Sequence, residues 1–189
     1  MKRIIVGISG ADGVCLGSHL LKTLYAMPDV ETHLVMTSSA ERNFLLEGTE
    51  TPDEVKRLAD VCHNPDNMAA SIASGSFRTD GMIIAPCSMK TLAHIVSGCA
   101  DNLLLRAADV CLKEGRKVVL IPREMPLSRI HLRNLLSASE AGCHIVPPVL
   151  TFYNHPATVE DHINHIIGKS LMLLGIEPPF FRAWQGEEA

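Results

Sequence analysis

Arg3-Ile4-Ile5-Val6-Gly7-Ile8-Ser9-Gly10-Ala11-Asp12-Gly13 decides how the rest of the chain is read. From Arg3 to Ile8 the run is β-branched and nearly all apolar, which predicts a strand covered on both faces. It closes on glycines and opens a helical pattern from about Cys15 to Ala26. Similar short runs recur at Thr32 to Met36, Met82 to Ala85, Lys117 to Ile121 and His144 to Val146. Between them lie helix-like segments at about Ser39 to Glu47, Pro52 to Asp60, Met89 to Ser97, Asn102 to Glu114 and Leu127 to Ala141. A last helix, about Val159 to Leu174, follows Pro156 and stops at Gly175. Such alternation predicts an α/β fold, a doubly wound and mostly parallel sheet of the Rossmann-like or flavodoxin-like three-layer kind. No repeat or linker interrupts it, so residues 1–189 are expected to form one domain, with 176–189 as a C-terminal tail.

Composition bounds the function. The 189 residues are 47% hydrophobic and 20% charged, as in ordinary globular proteins. A net charge of −4 leaves no electrostatic footprint for nucleic acid, and 4% aromatics leave little for base stacking. The six cysteines form no C-x-x-C pair and mostly sit in apolar stretches, which points to a reducing compartment. No signal peptide opens the chain, and no apolar run reaches the roughly 18 residues of a membrane span. The expectation is a cytoplasmic protein with no membrane and no nucleic-acid partner.

Ligands of doubly wound sheets bind beyond the carboxyl ends of the strands. Residues 9–13, 37–38, 86–91, 122–126 and 147–153 therefore carry the functional reading. The glycines at 7, 10 and 13 fit neither G-x-G-x-x-G nor a Walker loop, yet they allow close backbone approach at a helix N-terminus that favours anions. An ordinary tight turn is the alternative. Strand two ends in Met36-Thr37-Ser38 rather than the acidic residue that a dinucleotide ribose requires. Ser88, after Pro86-Cys87, suits an N-cap, with Lys90 and Thr91 nearby, so this turn is either a plain cap or a second anion loop. Arg106 and Lys113, seven apart, share one helix face roughly 10 Å apart along the axis, and Asp109 is placed to pair with Arg106. Pro122-Arg123-Glu124-Met125-Pro126 sets a phosphate-matching guanidinium beside a potential proton carrier, or simply a local ion pair. His162 and His165 lie three apart on a helix, but no acidic partner stands at ligand spacing, so no metal is expected. The remaining reading for these histidines is packing or surface.

Several blocks taken together resemble one family: Gly7-Ile8-Ser9-Gly10-Ala11, Ala85-Pro86-Cys87-Ser88-Met89-Lys90-Thr91-Leu92, Arg106-Ala107-Ala108-Asp109-Val110, Leu112-Lys113-Glu114, Pro122-Arg123-Glu124-Met125-Pro126-Leu127-Ser128, Ile130-His131-Leu132, Phe152-Tyr153 and Arg182-Ala183-Trp184. They are similar, in order, to the UbiX-like flavin prenyltransferases, in the branch that serves phenolic or hydroxyaryl acid decarboxylases. The resemblance implies that reduced FMN and dimethylallyl phosphate (or the diphosphate) are joined through N5 and C6 of the isoalloxazine, with release of phosphate and without a metal. The product, prenylated FMN, would serve a UbiD-like aromatic acid decarboxylase. Assembly as a homo-oligomer, a dodecamer with sites at subunit interfaces, is also implied.

By position, the resemblance places Gly10, Ala11, Asp12, Thr37, Ser88, Met89, Lys90, Thr91 and Arg123 along FMN. It assigns catalysis to Glu47, Glu124, Lys113, Arg106 and Trp184, and prenyl phosphate binding to Tyr153 and Lys169. Asp12 stands where the family usually has serine, and Lys169 where arginine is commoner. A carboxylate at 12 repels anions unless protonated or paired. Two rival readings follow: a non-catalytic FMN-binding accessory subunit, which Asp12 favours, and a flavin-dependent cysteine decarboxylase, whose asparagine block and catalytic histidine are not evident.

Overall fold

The computed structural model describes residues 1–48, 50–181, 184 and 186. Its strands are β1 (Lys2–Ile8), β2 (Val30–Met36), β3 (Val61–His63), β4 (Gly81–Cys87), β5 (Lys117–Pro122) and β6 (Cys143–Ile145). They form one sheet in the order β3-β2-β1-β4-β5-β6, and every pairing is parallel. The chain winds outward from β1 to β3, then returns to the other side of β1. The order therefore reverses between β1 and β4, where such sheets bind ligands. This is the doubly wound architecture that the alternating runs predict.

The helices are α1 (Cys15–Tyr25), α2 (Ser38–Glu47), α3 (Pro52–Lys56), α4 (Met89–Ser97), α5 (Leu103–Lys113), α6 (Arg129–Glu140) and α7 (Val159–Leu173). Alternate strand residues point to opposite faces. Ile4, Val6, Ile8, Ile83 and Ala85 thus join Leu20, Phe44, Ile167 and Leu171 in one core. Ile5, Met82 and Ile84 join Leu104, Ala107 and Ala108 in the other. Both alternating sets must be apolar, which is why the strands read as unbroken runs.

One strand was not expected, and two helix boundaries shift for a visible reason. The strand Val61–His63 is too short to show a period; it pairs in parallel with β2, and a side chain clips its start. Asp60 Oδ2 accepts from the Thr32 backbone N–H and hydroxyl, both at 2.8 Å. Reaching that clip ends α3 at Lys56, short of the expected Asp60. The helix expected from Leu127 begins at Arg129 because Ser128 caps it, accepting from the His131 N–H at 3.2 Å.

The carboxyl end of α7 is fixed from far along the chain. Lys2 Nζ donates to the carbonyls of Leu174 (2.8 Å) and Gly175 (2.6 Å), and Lys117 Nζ to that of Leu173 (2.7 Å). Cations at that end oppose the helix dipole and satisfy carbonyls that the helix leaves open. Among the described residues no helix is long and apolar enough to cross a membrane.

Candidate active site

The loops after β1 and β4 are stapled together. Buried Ser9 donates its hydroxyl to the Pro86 carbonyl (2.9 Å) and accepts from the Ser88 N–H (2.8 Å). Gly10 lies against α2, where a Cβ would collide with the Cβ of Ser39. Only glycine lets the two backbones approach this closely.

Beside the staple three helices present their N-termini to one cleft of about 200 Å³, lined by Gly10, Thr37, Ser88, Lys90, Thr91 and Asn102 among others. Thr37 caps α2, accepting from Ala40 N–H at 3.2 Å. Ser88 caps α4, accepting from Thr91 N–H at 3.1 Å. Asn102 caps α5, accepting from Leu105 N–H at 3.0 Å. Each N-terminus carries partial positive charge. Lys90 is exposed at the rim with no ion-pair partner among the described residues. Hydroxyl donors, three dipoles and an ammonium suit a phosphate monoester. The cleft is smaller than the roughly 300–1,000 Å³ of pockets that enclose whole drug-sized ligands, so its size suits a phosphate group rather than a whole nucleotide. Ser38, in the segment that the sequence singles out, lines it too, as do Ser39, His94 and Asn102, which were missed from the sequence. Asn102, the helix cap among the missed ones, carried a signal, an S/T/N residue before an apolar run.

At the α1 N-terminus the structure places a carboxylate of the chain itself. Glu47 already occupies it, accepting from Gly13 N–H (3.0 Å) and Val14 N–H (3.1 Å). Gly13 has φ +84°, a conformation that aims both amides at the carboxylate. Burial pushes the Glu47 carboxyl above its ordinary range, against those backbone bonds, and the Asp12 charge pushes it further. Glu47 thus combines a raised proton affinity with a fixed position, as a proton carrier needs.

Asp12 and Arg123 form an ion pair from the tips of β1 and β5, spanning the end of β4. The aspartate that the sequence leaves unexplained is therefore paired. Arg123 N–H also donates to the Cys87 carbonyl at 3.1 Å, which ties its loop to β4. Glu124 is exposed, and its carboxylate accepts from the Met125 N–H at 3.1 Å. Ala11 is half-buried in the first loop, and half-buried Met89 packs on the core of α4 and α5.

Tyr153, Lys169 and Trp184 share a second, larger cavity of about 780 Å³ beside β6 and α7. Tyr153 and Trp184 meet edge to face at 5.7 Å. Arg182 and Ala183, part of the sequence resemblance, lie outside the described residues. The basic residues of α5 join neither space within one chain. Arg106 pairs with Asp109 (2.6 Å) and donates to the Ala73 carbonyl (3.1 Å). Lys113, paired with Glu114, ends the helix whose other end faces the phosphate cleft. Eleven residues of helix separate those ends by about 16 Å. Three metal-capable donors meet only at His94, Cys99 and Asp101 among the described residues, two of them exposed; His162 and His165 are in no such group.

The fold and the cleft thus define a nucleotide-phosphate-binding α/β protein, and comparison with known proteins narrows the class. Residues 1–170 match the Flavoprotein family. A probable UbiX-like flavin prenyltransferase from Sedimentibacter hydroxybenzoicus is 58% identical over 184 residues, 97% of each chain. A crystal structure of a dodecameric FMN-dependent UbiX-like decarboxylase from Escherichia coli O157:H7 superimposes with a TM-score of 0.95 at 56% identity, covering 98% of this chain and 100% of that one. AnUbiX (PadA1), solved with FMN and dimethylallyl pyrophosphate, has a TM-score of 0.95 at 49% identity over 99% of both chains. The chain belongs to the UbiX-like flavin prenyltransferase family.

Proposed function

We propose that this chain transfers the dimethylallyl group of dimethylallyl phosphate to reduced FMN, releasing phosphate and giving prenylated FMN. The observation that carries this reading is the cleft between β1 and β4, where three helix N-termini, serine and threonine hydroxyls and Lys90 converge in a chain of this family. Thr37, Ser88, Lys90 and Thr91 would hold the FMN phosphate, with Gly10, Ala11, Asp12, Met89 and Arg123 along the rest of the molecule. When bound, reduced FMN supplies the nucleophilic ring atoms.

The chain's residues then have separable tasks. Breaking the carbon–oxygen bond of the donor leaves negative charge on phosphate, which preorganised cations stabilise in place of water. Lys169 and the Tyr153 hydroxyl stand together for this in the larger cavity. Arg106 and Lys113 line neither space within one chain, so an adjoining copy would bring them. A dodecamer like that of the E. coli relative supports such sharing. Trp184 presents an aromatic face beside Tyr153, suited to an allylic cation. A ring proton must leave, and Glu47 or Glu124 accepts it. The whole chain acts as one flavoprotein domain with residues 176–189 as its tail. It works in the cytoplasm without a metal and passes its product to a UbiD-like aromatic acid decarboxylase.

Purified protein incubated with reduced FMN and dimethylallyl phosphate tests the reading by mass spectrometry. FMN gaining one prenyl unit is the expected result. Tight FMN binding with no gain in mass would replace it with the accessory-subunit reading, which the Asp12–Arg123 pair otherwise favours by neutralising a cation of the site.

A further inference from the structure

We infer that His165, a packing or surface residue on the sequence reading, is a positioning residue that orients the Tyr153 hydroxyl toward the prenyl phosphate. The inference rests on the proposed prenyl transfer and adds a residue to it. His165 projects from α7 into the same cavity as Tyr153 and Lys169. Its Nε2 lies 3.3 Å from the Tyr153 hydroxyl oxygen. The two rings meet edge to face, at 83° with centroids 5.5 Å apart. On its other side the imidazole stacks on Phe181, at 5.2 Å and 29°. Lys169 follows four residues later, on the same helix face. The imidazole is thus clamped between two aromatic rings, with its Nε2 given to Tyr153.

A tyrosine hydroxyl has one proton to donate and can accept as well. Left alone it rotates, and only some orientations send the proton into the cavity. An N–H aimed at its oxygen removes that freedom. With its proton on Nε2, His165 donates to Tyr153 and leaves the tyrosine proton for a phosphate oxygen. Burial, then the charges of Lys169 and His162, lower the His165 pKa. This favours the neutral ring, which leaves the phosphate to Lys169. A hydroxyl already oriented costs less to engage than one that must be ordered on binding.

The test is a double-mutant cycle on the full chain, read as kcat and KM for dimethylallyl phosphate and as Kd for FMN. His165→Phe keeps a flat ring against Phe181 and removes the donor. The expected result is a fall in kcat/KM of about three- to tenfold, the size of one hydrogen bond, with FMN affinity unchanged. His165→Gln places an amide N–H near the position of Nε2 and recovers most of the loss. In a Tyr153→Phe background, adding His165→Phe costs nothing more, because coupled residues fail to add. Should His165→Phe not fold, His165→Leu carries the same expectation. Full kcat/KM in His165→Phe, or a loss that persists unchanged in the Tyr153→Phe background, overturns the inference alone. A wild type that binds FMN and transfers nothing overturns both the function and this refinement.

Discussion

Asp12 and Arg123 face each other across the end of β4, and their pairing sets how much positive charge the site presents. Asp12 is mostly exposed, so the pair contributes little to the fold, at most about 1 kcal/mol. Asp12→Ser is expected to leave the melting temperature nearly unchanged and to preserve or raise prenylation, since it frees Arg123 for an anion. Turnover followed by mass spectrometry checks this, and a clear loss of activity would show that the aspartate has a positive role. Glu47 is the opposite case, because its carboxylate holds two backbone amides at once. Glutamine has one acceptor oxygen, so Glu47→Gln leaves Gly13 or Val14 unpaired at a cost of about 1–3 kcal/mol. Weaker FMN binding in a fluorescence titration, together with a lower melting temperature, is the expected outcome. Wild-type values for both would mean that the loop does not depend on Glu47.

At the scale of elements, charged side chains tie β1 to β2 and fix the end of α7. Arg3 hydrogen bonds hold the Glu31 carboxyl at about 2, against an ordinary 4.5, and His33 adds a further bond. A depressed folded-state value means that this stabilisation is complete above about pH 4.5 and is lost as pH falls toward about 2. Acid melts should show it, and Glu31→Gln should flatten that limb of the stability profile. Lys2→Met with Lys117→Met removes the donors at the end of α7 and is expected to speed amide exchange in its last turn. Unchanged exchange there would mean that the helix end holds itself. These elements also show what a sequence exposes. The strands before Ile8 and Ala85, and the Ser88 cap, were legible because their cause is local: buried runs on both faces and a cap directly before its helix. β3 was not, since three residues carry no period and its cause is Asp60 bonding back to Thr32. Nor was the Ser9 staple, formed across 77 residues, or the Lys2 cap on α7, across 172.

The whole molecule leaves part of its chemistry apart. The phosphate cleft lies at the strand ends and the Tyr153–Lys169 cavity beside β6 and α7, while Arg106 and Lys113 lie along α5, bound to Asp109 and Glu114. The family resemblance groups these residues in one site, but nothing local in the sequence shows that Arg106 and Lys113 line neither space within one chain. Ile130 and Leu136 on α6, with Leu150 and Phe152 in the loop beyond β6, are each at least 60% exposed. This apolar surface suits burial against further copies. Light scattering is expected to show a homo-oligomer, and Leu136→Glu to weaken assembly and turnover together. Normal turnover by a monomer would remove the need for shared residues. The most direct test of the central claim is a structure of the protein with FMN and dimethylallyl phosphate bound. The account predicts the FMN phosphate between Thr37 and Ser88, with the prenyl phosphate against Tyr153 and Lys169. An FMN phosphate seated at the α1 N-terminus in place of Glu47, or anywhere outside the β1–β4 cleft, would contradict it.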